Sequence, residues 1–231
     1  MTLAEELGVT SETIRRDLTV LERVGVLRRV HGGAIPVERL GFEPAVAARD
    51  AVMTAEKERI AKAALAALPE EGSIIIDAGT TTGRLAQVLP TDRELTVVVN
   101  APPLAVALAS RPNLTVIMLG GRVRGRTLAT VDDLALRPLS HLFVDIAFMA
   151  TNGCTPEHGL TTPDPAEAAV KRAMVAAARR AVLLADHTKF SNDYMARFAE
   201  LTDIDVIYTD AGLDRRVAVD LEAAGPEVIL A

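Results

Sequence analysis

Between residues 73 and 230 the chain carries seven short apolar runs, at 73–77, 95–100, 114–119, 143–150, 180–185, 206–208 and 228–230. Apolar runs this continuous belong to strands buried on both faces, and strands alternating with helices at this spacing build a mostly parallel sheet covered on both sides. The larger part of the chain, residues 54–231, is therefore expected to be an α/β domain. A helix should open it over 54–68, with Ile60, Ala64 and Ala67 turned inward and residues 69–72 ending it. A chain of 231 residues, 49% hydrophobic and 24% charged, has room for one good-sized domain beside a small one.

The first 35 residues follow a different pattern. Leu3, Leu7 and Val9 form a short apolar stripe, Gly8 is suited to closing a helix in the left-handed conformation, and Thr10 is a good N-cap for a second helix. In that second helix Ile14, Leu18 and Leu21 recur at helical spacing and are expected to face inward. Ser11, Thr13, Arg15 and Arg16 are then left on or beside the outer face, where they suit base edges and phosphates. Val24, Val26, Leu27 and Val30 suggest a strand flanked by Arg28 and Arg29, with His31-Gly32-Gly33 as the turn of a wing. From 11 to 31 five arginines face three carboxylates, so a chain whose net charge is −6 still presents a basic face here. An ordinary pair of surface helices with solvated arginines would share the helical part of this pattern, but not the wing and its glycines. Residues 36–53, with Pro36, Gly41, Pro44 and mixed charges, read as a linker.

In open parallel sheets ligands sit beyond the carboxyl ends of the strands, so the residues just after each run are the informative ones. After the first run come Asp77, Ala78, Gly79, Thr80, Thr81 and Thr82, opening a helix. Glycine, first-turn amides and three hydroxyls suit a phosphate cradle; threonine capping explains one hydroxyl but does not need three. Asn100 ends the second run and Gly120-Gly121-Arg122 the third, where close approach and a positive charge are available, although a Gly-Gly pair also makes a plain turn. Asn152-Gly153 follows the fourth and fits either a sugar hydroxyl or an Asn-Gly turn. Asp164, Pro165 and Glu167 read as N-cap, first helical residue and capping-box partner of a helix running to about Arg179, with Glu167 structural and Lys171 a ligand candidate able also to pair with Glu167. After the fifth run, Lys189 suits a phosphate or hydroxyl with Asp186 orienting it, or is simply solvated.

Two sets of motifs carry a family resemblance. Residues 3–34, ending in Arg28-Arg29-Val30-His31-Gly32-Gly33-Ala34, resemble the winged helix-turn-helix of the DeoR family of bacterial transcriptional regulators. The motifs at 77–82, 100, 120–121, 159–163, 167–172 and 184–190 resemble that family's effector domain. The resemblance implies a fold similar to ribose-5-phosphate isomerase, glucosamine-6-phosphate deaminase and coenzyme A transferases, and an inducer that is a phosphorylated sugar or polyol. Family members carry a further helix before the equivalent of Thr2. The DNA-binding unit over 1–35 is thus expected to be incomplete as written, and to bind DNA weakly. Asp132-Asp133 stands where a glycine is more typical.

The expected function is a repressor bound to double-stranded operator DNA as a dimer or tetramer and released by the sugar phosphate, with no metal or cofactor. Absence of a membrane-length apolar run or basic-then-apolar leader points to the cytoplasm. The single Cys154 rules out an internal disulfide and reads as a buried thiol, and a chain with no Trp, two Tyr and five Phe is poorly equipped to stack single-stranded bases. An isomerase or deaminase would need a poised carboxylate pair; Glu157, His158, Asp186 and His187 are available, but no spacing among them demands catalysis. A sensor acting through protein partners without DNA is the remaining alternative.

Overall fold

The computed structural model describes residues 3–23, 27–30, 33–36 and 43–231. Helix α1 (Leu3–Glu6) turns through Gly8, at φ 64°, into α2 (Ser11–Arg23). Strands β1 (Leu27–Val30) and β2 (Gly33–Pro36) pair antiparallel with Val30 opposite Gly33, giving the tight hairpin expected of a wing. His31 and the residues at 24–26 lie outside the described residues. Thr10 caps α2 as its position requires, its hydroxyl accepting from the Thr13 amide at 3.2 Å. Leu21 was expected inside, yet it keeps 38% of its surface exposed, because the four-residue α1 covers only part of the apolar stripe of α2.

The segment expected to be a linker contains structure. Residues 37–42 lie outside the described residues, but Glu43 is buried, helix α3 (Val46–Asp50) follows, and the Val46 amide donates to the Arg126 carbonyl at 2.7 Å. Helix α4 (Thr54–Ala64) and a single 3-10 turn (Leu65–Ala67) then lead into the sheet.

All seven apolar runs are strands of one parallel sheet. In chain order they are β3 (Gly72–Ile76), β4 (Leu95–Val99), β5 (Leu114–Met118), β8 (Val144–Met149), β11 (Ala178–Leu184), β13 (Val206–Thr209) and β14 (Glu227–Leu230). Their spatial order is β14-β13-β11-β8-β3-β4-β5. Ile74 and Ile76 pack with Ile60, Leu85 and Val99 on one face, under α4, α5 (Thr80–Val88) and α6 (Pro102–Leu108). Ile75 packs with Ala135, Met174 and Leu221 on the other, under α7 (Asp133–Leu139), α8 (Pro165–Ala176) and α9 (Arg215–Ala223). Alternate residues of one strand thus feed two cores, and burial of each isoleucine contributes about 1.5–3 kcal/mol. Helix α8 stops at Ala176, three residues before the expected end, because the chain enters β11 at Ala178.

Two further pairings were not expected. Residues 122–123 and 130–131 form a short antiparallel hairpin, β6 with β7, and β9 (Gly153–Thr155), β10 (Gly159–Thr162) and β12 (Ala196–Ala199) form a small antiparallel sheet.

The order of the strands decides where a site can lie. From β3 the chain winds outward through β4 to β5, then returns to place β8 on the other side of β3 and winds the opposite way. The chain leaves β3 into α5 on one face and β8 toward β9 and then α8 on the other, and at such a reversal a ligand crevice is expected at the carboxyl ends of the two strands.

Candidate functional site

Three of the expected site residues, Asp77, Asn100 and Lys171, converge at the carboxyl ends of β3 and β8. Asp77, fully buried at the end of β3, accepts from the Ala150 amide at 3.0 Å, from Asn100 Nδ2 at 3.3 Å, and from Lys171 Nζ. Asn100 Oδ1 in turn accepts from the Ala78 amide at 2.7 Å, and Lys171 also donates to the Ala150 carbonyl at 3.0 Å and stands 5.4 Å from the centre of the Phe198 ring. Burial pushes the Asp77 carboxyl above the usual carboxylate range, with the Lys171 charge opposing it. Asp77, Asn100 and Lys171 are thus occupied with one another and with backbone groups. What they do is fix the ends of β3, β4 and β8 in one frame.

On that frame sits the turn into α5. Gly79 is extended, at φ −178°, so its backbone does not demand glycine; space does. A Cβ there would lie 2.6 Å from the Ala150 side chain and 2.7 Å from Thr82 Oγ1. Thr82 is buried and its hydroxyl donates to the Asp77 carbonyl at 2.7 Å, so it locks the turn. Thr80 and the amides of the first helical turn remain for a ligand, since such amides have no intrahelical acceptor.

Opposite, Asn152 is held at both ends: Nδ2 donates to Glu43 Oε1 at 3.1 Å and Oδ1 accepts from Thr162 Oγ1 at 3.0 Å. Glu43 Oε2 accepts from Arg124 at 3.0 Å, and the same guanidinium pairs with Asp164 at 3.1 Å and with Glu167. Glu167 does not close a capping box. Its amide donates to Asp164 Oδ1 at 2.9 Å as expected, but its side chain turns inward to Arg124 and accepts from Thr127 Oγ1 at 3.0 Å, as a buried carboxylate requires. Gly153 serves packing within the small sheet, where a Cβ would lie 2.2 Å from the Asn192 carbonyl oxygen.

The Gly120-Gly121-Arg122 group stands apart, two strands from the crevice. Gly121, at φ 118°, leads into β6, where a Cβ would lie 2.3 Å from the Val131 carbonyl oxygen, and the Arg122 guanidinium, expected near the ligand, instead pairs with Asp132 at 2.8 Å on the exposed hairpin. Asp132 occupies φ 74°, ψ −173°, a conformation natural to glycine, which accounts for the glycine expected there.

A third group lies where α3, α4, α5 and the end of β11 come together. Lys57, buried in α4, donates to the Arg49 and Val52 carbonyls at 2.5 and 2.6 Å, and Arg84 of α5 donates to Asp50 Oδ1 at 3.0 Å. Lys189 Nζ is 4.0 Å from Asp186 Oδ2. Burial pushes Lys57 down to about 8, with Asp186 opposing, and burial lowers Lys189 in the same way. Glu43, Arg49, Arg84 and Arg124 were all missed in the sequence; the alternating arginines at 122, 124 and 126 were the one local hint.

In the small N-terminal unit Ser11, Thr13, Arg15 and Arg16 are exposed on α2, with Arg15 3.5 Å from Glu12. Arg28 and Arg29 lie on β1 opposite Ile35 and Ala34. Among the described residues no helix is long and apolar enough to cross a membrane, and no cluster of His, Cys, Asp and Glu is placed to hold a metal ion.

Comparison with known proteins matches residues 1–39 to the DeoR-like helix-turn-helix domain and residues 52–211 to the DeoR C terminal sensor domain. The HTH-type transcriptional regulator GlpR of Haloferax volcanii is 38% identical over 227 residues, spanning 98% of this chain and 89% of that protein. The glycerol-3-phosphate regulon repressor of Escherichia coli is 31% identical over 209 residues, 90% of this chain and 82% of that one. Among solved structures, ribose 5-phosphate isomerase A of Methanocaldococcus jannaschii (14% identical, 60% of this chain and 55% of that chain, TM-score 0.45) and eIF2B beta of Chaetomium thermophilum (11%, 78% and 56%, TM-score 0.49) show partial similarity.

Proposed function

This chain belongs to the DeoR family of transcriptional regulators, and from that premise we propose that it represses a sugar-metabolism operon and is released when a phosphorylated sugar or polyol enters the β3/β8 crevice. The observation that carries the reading is the strand reversal between β3 and β8, which brings the Thr80 turn, Asn152 and the Asp77–Lys171 frame to one place. First-turn amides and the Thr80 hydroxyl suit a phosphate, and the second N–H of the Asn152 amide, whose other bonds go to Glu43 and Thr162, suits a hydroxyl. The name of the Escherichia coli relative makes glycerol 3-phosphate the first compound to try.

In this reading residues 1–35 are the DNA-binding unit, 54–231 the sensor, and 36–53 the connection. Ser11, Thr13, Arg15 and Arg16 meet the major groove, with Thr10 fixing the start of the helix, while Arg28, Arg29 and His31 of the wing approach phosphates. Symmetric half-sites call for a dimer or tetramer, working in the cytoplasm. The relatives are named as regulators and not as enzymes, and the carboxylate at the centre of the crevice, Asp77, is bound up with Lys171, Asn100 and the Ala150 amide, leaving it poorly placed as a base.

Release requires the ligand to bind the free form more tightly than the operator-bound form. The test is a gel shift on selected operator DNA combined with a melting curve, each with and without phosphorylated sugars and polyols. A phosphorylated compound at a hundred times its Kd should add about 2.7 kcal/mol to sensor stability and release the DNA, whereas its unphosphorylated parent should do neither. A chain that binds its operator identically in the presence of every such compound would refute the proposal, and turnover of a sugar phosphate would replace the regulator reading with an enzyme.

A further inference from the structure

The parallel sheet ends on two open edges, β14 and β5, and the two are not protected alike. Exposed edge strands are commonly blunted by a charge, a proline or a bulge, because their unpaired N–H and C=O groups are a template for another strand. β14 begins at the exposed Glu227. β5, reading Leu114-Thr115-Val116-Ile117-Met118, carries no charge and no proline, and its register runs unbroken from Leu114 opposite Leu95 to Met118 opposite Val99.

The backbone of β5 is set for a partner. The Leu95 amide donates to the Asn113 carbonyl at 3.2 Å and the Leu119 amide to the Val99 carbonyl at 2.8 Å, so the odd-numbered residues of this stretch bond inward to β4. The same alternation turns the N–H and C=O of Val116 and Met118 to the open edge, together with the C=O of Leu114, whose N–H is taken by the Arg111 carbonyl. Leu114 and Val116 pack under α6 with Leu104 and Leu108, so Ile117 projects from the opposite face, where it is 39% exposed. Leu134 of α7, 67% exposed, lies beside the end of the strand, where a Cβ on Gly120 would be 3.8 Å from its own. The charges flanking the strand are already engaged. Arg111 turns back onto the Leu89 and Pro90 carbonyls, each at 2.7 Å, and Arg122 pairs with Asp132, so covering this edge strands no unpaired charge.

We propose that two copies of this chain meet edge to edge at β5 and join their seven-stranded sheets into one. A twofold axis makes the pairing antiparallel, and centring it on Val116 matches donors to acceptors: the two Val116 residues exchange N–H and C=O bonds, and each Met118 amide reaches the Leu114 carbonyl of the other copy. The same register sets Ile117 beside Thr115, and Met118 beside Leu114, of the other copy. A neutral, apolar edge that is complementary to itself favours a second copy over a foreign strand. Five residues at about 3.3 Å each, across a sheet and two helix layers about 10 Å thick apiece, present a face of roughly 500 Å² per copy, or about 1,000 Å² in all before surface relief is counted, which is where specific interfaces begin. Antiparallel pairing points the carboxyl ends of the two sheets in opposite directions, so both crevices stay open and the contact does not depend on the sugar-phosphate reading.

The test is sedimentation velocity of the full chain over a wide range of concentration, with Ile117→Lys, Val116→Pro and, as a control on the distant α9, Val219→Lys, whose side chain is also exposed. Val116→Pro removes an outward N–H and leaves the inward ladder whole. The wild type and Val219→Lys should associate alike, while Ile117→Lys and Val116→Pro should each raise the dissociation constant of one assembly step at least tenfold, the scale of two backbone hydrogen bonds lost together. Should Val116→Pro unfold, Ile117→Lys decides, because its side chain already meets solvent. Cross-linking reads the position. The single native cysteine, Cys154, is buried, so Ile117→Cys supplies the reactive thiol; the thiols of two copies stand as diagonal neighbours about 7–8 Å apart, and a short bismaleimide should trap a covalent dimer, while Val219→Cys gives none. A wild type that stays monomeric overturns the inference. So does association that survives Ile117→Lys at wild-type strength, or the lack of a cross-link at 117, and either of these leaves the regulator reading standing with its dimer contact elsewhere.

Discussion

Replacing Lys171 by Met should cost the sensor about 3–5 kcal/mol, the range for removing one partner of a buried ion pair. Lys171 and Asp77 are 1% and 0% exposed. The ammonium gives up its bond to Asp77, its 3.0 Å bond to the Ala150 carbonyl, and its place 3.9 Å from Glu167. Glu167 keeps Arg124 and Thr127, so the damage falls on Asp77, whose remaining donors are the Ala150 amide and Asn100. For a domain of this size each kcal/mol moves the melting temperature by roughly 2–4 °C, so a fall of roughly 6–20 °C is expected. The pH dependence supplies a second reading of the same variant. Burial already raises the Asp77 carboxyl with Lys171 present. A carboxyl raised in the fold binds its proton more tightly folded than unfolded, so its contribution to stability is greatest at low pH and is lost as pH rises through the folded value. Without Lys171 the elevation grows, and the deficit of Lys171→Met must be larger at pH 8 than at pH 5. Urea unfolding of the wild type, Lys171→Met, Asp77→Asn and the double variant measures both. If the single costs simply add, or if the deficit does not change with pH, the Asp77–Lys171 pair is not the element that frames the crevice.

Gly79→Ala should destabilise by about 1–3 kcal/mol through overpacking against Ala150 and Thr82, and should weaken ligand binding with it; an unchanged urea midpoint would show that the turn has room. Asp132→Gly should be more stable than Asp132→Ala by about 1 kcal/mol, because only glycine occupies φ 74° freely; equal stabilities would mean the conformation carries no strain. Cys154 is buried and its thiol is pushed up to about 12 by that burial, so an aromatic disulfide reagent at pH 8 should fail to label the native chain and label it promptly in urea; rapid native labelling would contradict the placement of β9.

The seven parallel strands were legible because strands buried on both faces become runs of Ile, Val and Leu that need no partner to be recognised: Ile74, Ile75 and Ile76 are each fully buried. Their order was not legible, since nothing in β3 or β8 states that they are neighbours. The small sheet of β9, β10 and β12 was hidden because Thr161 and Thr162 bury hydroxyls that donate to the Gly153 carbonyl and to Asn152 Oδ1, so no alternation marks the strand. In the site, the turn at 79–82 could be read from its residues, and Lys171 was singled out, but only the fold joins it to Asp77, 94 positions away. Glu167 looked like a capping residue because its position three after Asp164 fits that role, and the stronger demand, a cation for a buried carboxylate, lies on Arg124, 43 positions distant. Arg49 and Glu43 carry no local signature.

The guanidinium of Arg124 has a mechanical consequence. It binds Asp164 and Glu167, which belong to the start of α8, and Glu43, which belongs to the strap coming from the helix-turn-helix. Lys171, 3.9 Å from Glu167, adds a second cation to this group, and Glu43 is held further by the Asn152 amide at 3.1 Å and, through its carbonyl, by the Arg126 guanidinium at 2.7 Å. A pull on the strap at Glu43 is thus met by side-chain and backbone bonds together, and its load is shared between the start of α8, the β6–β7 hairpin and the end of β8.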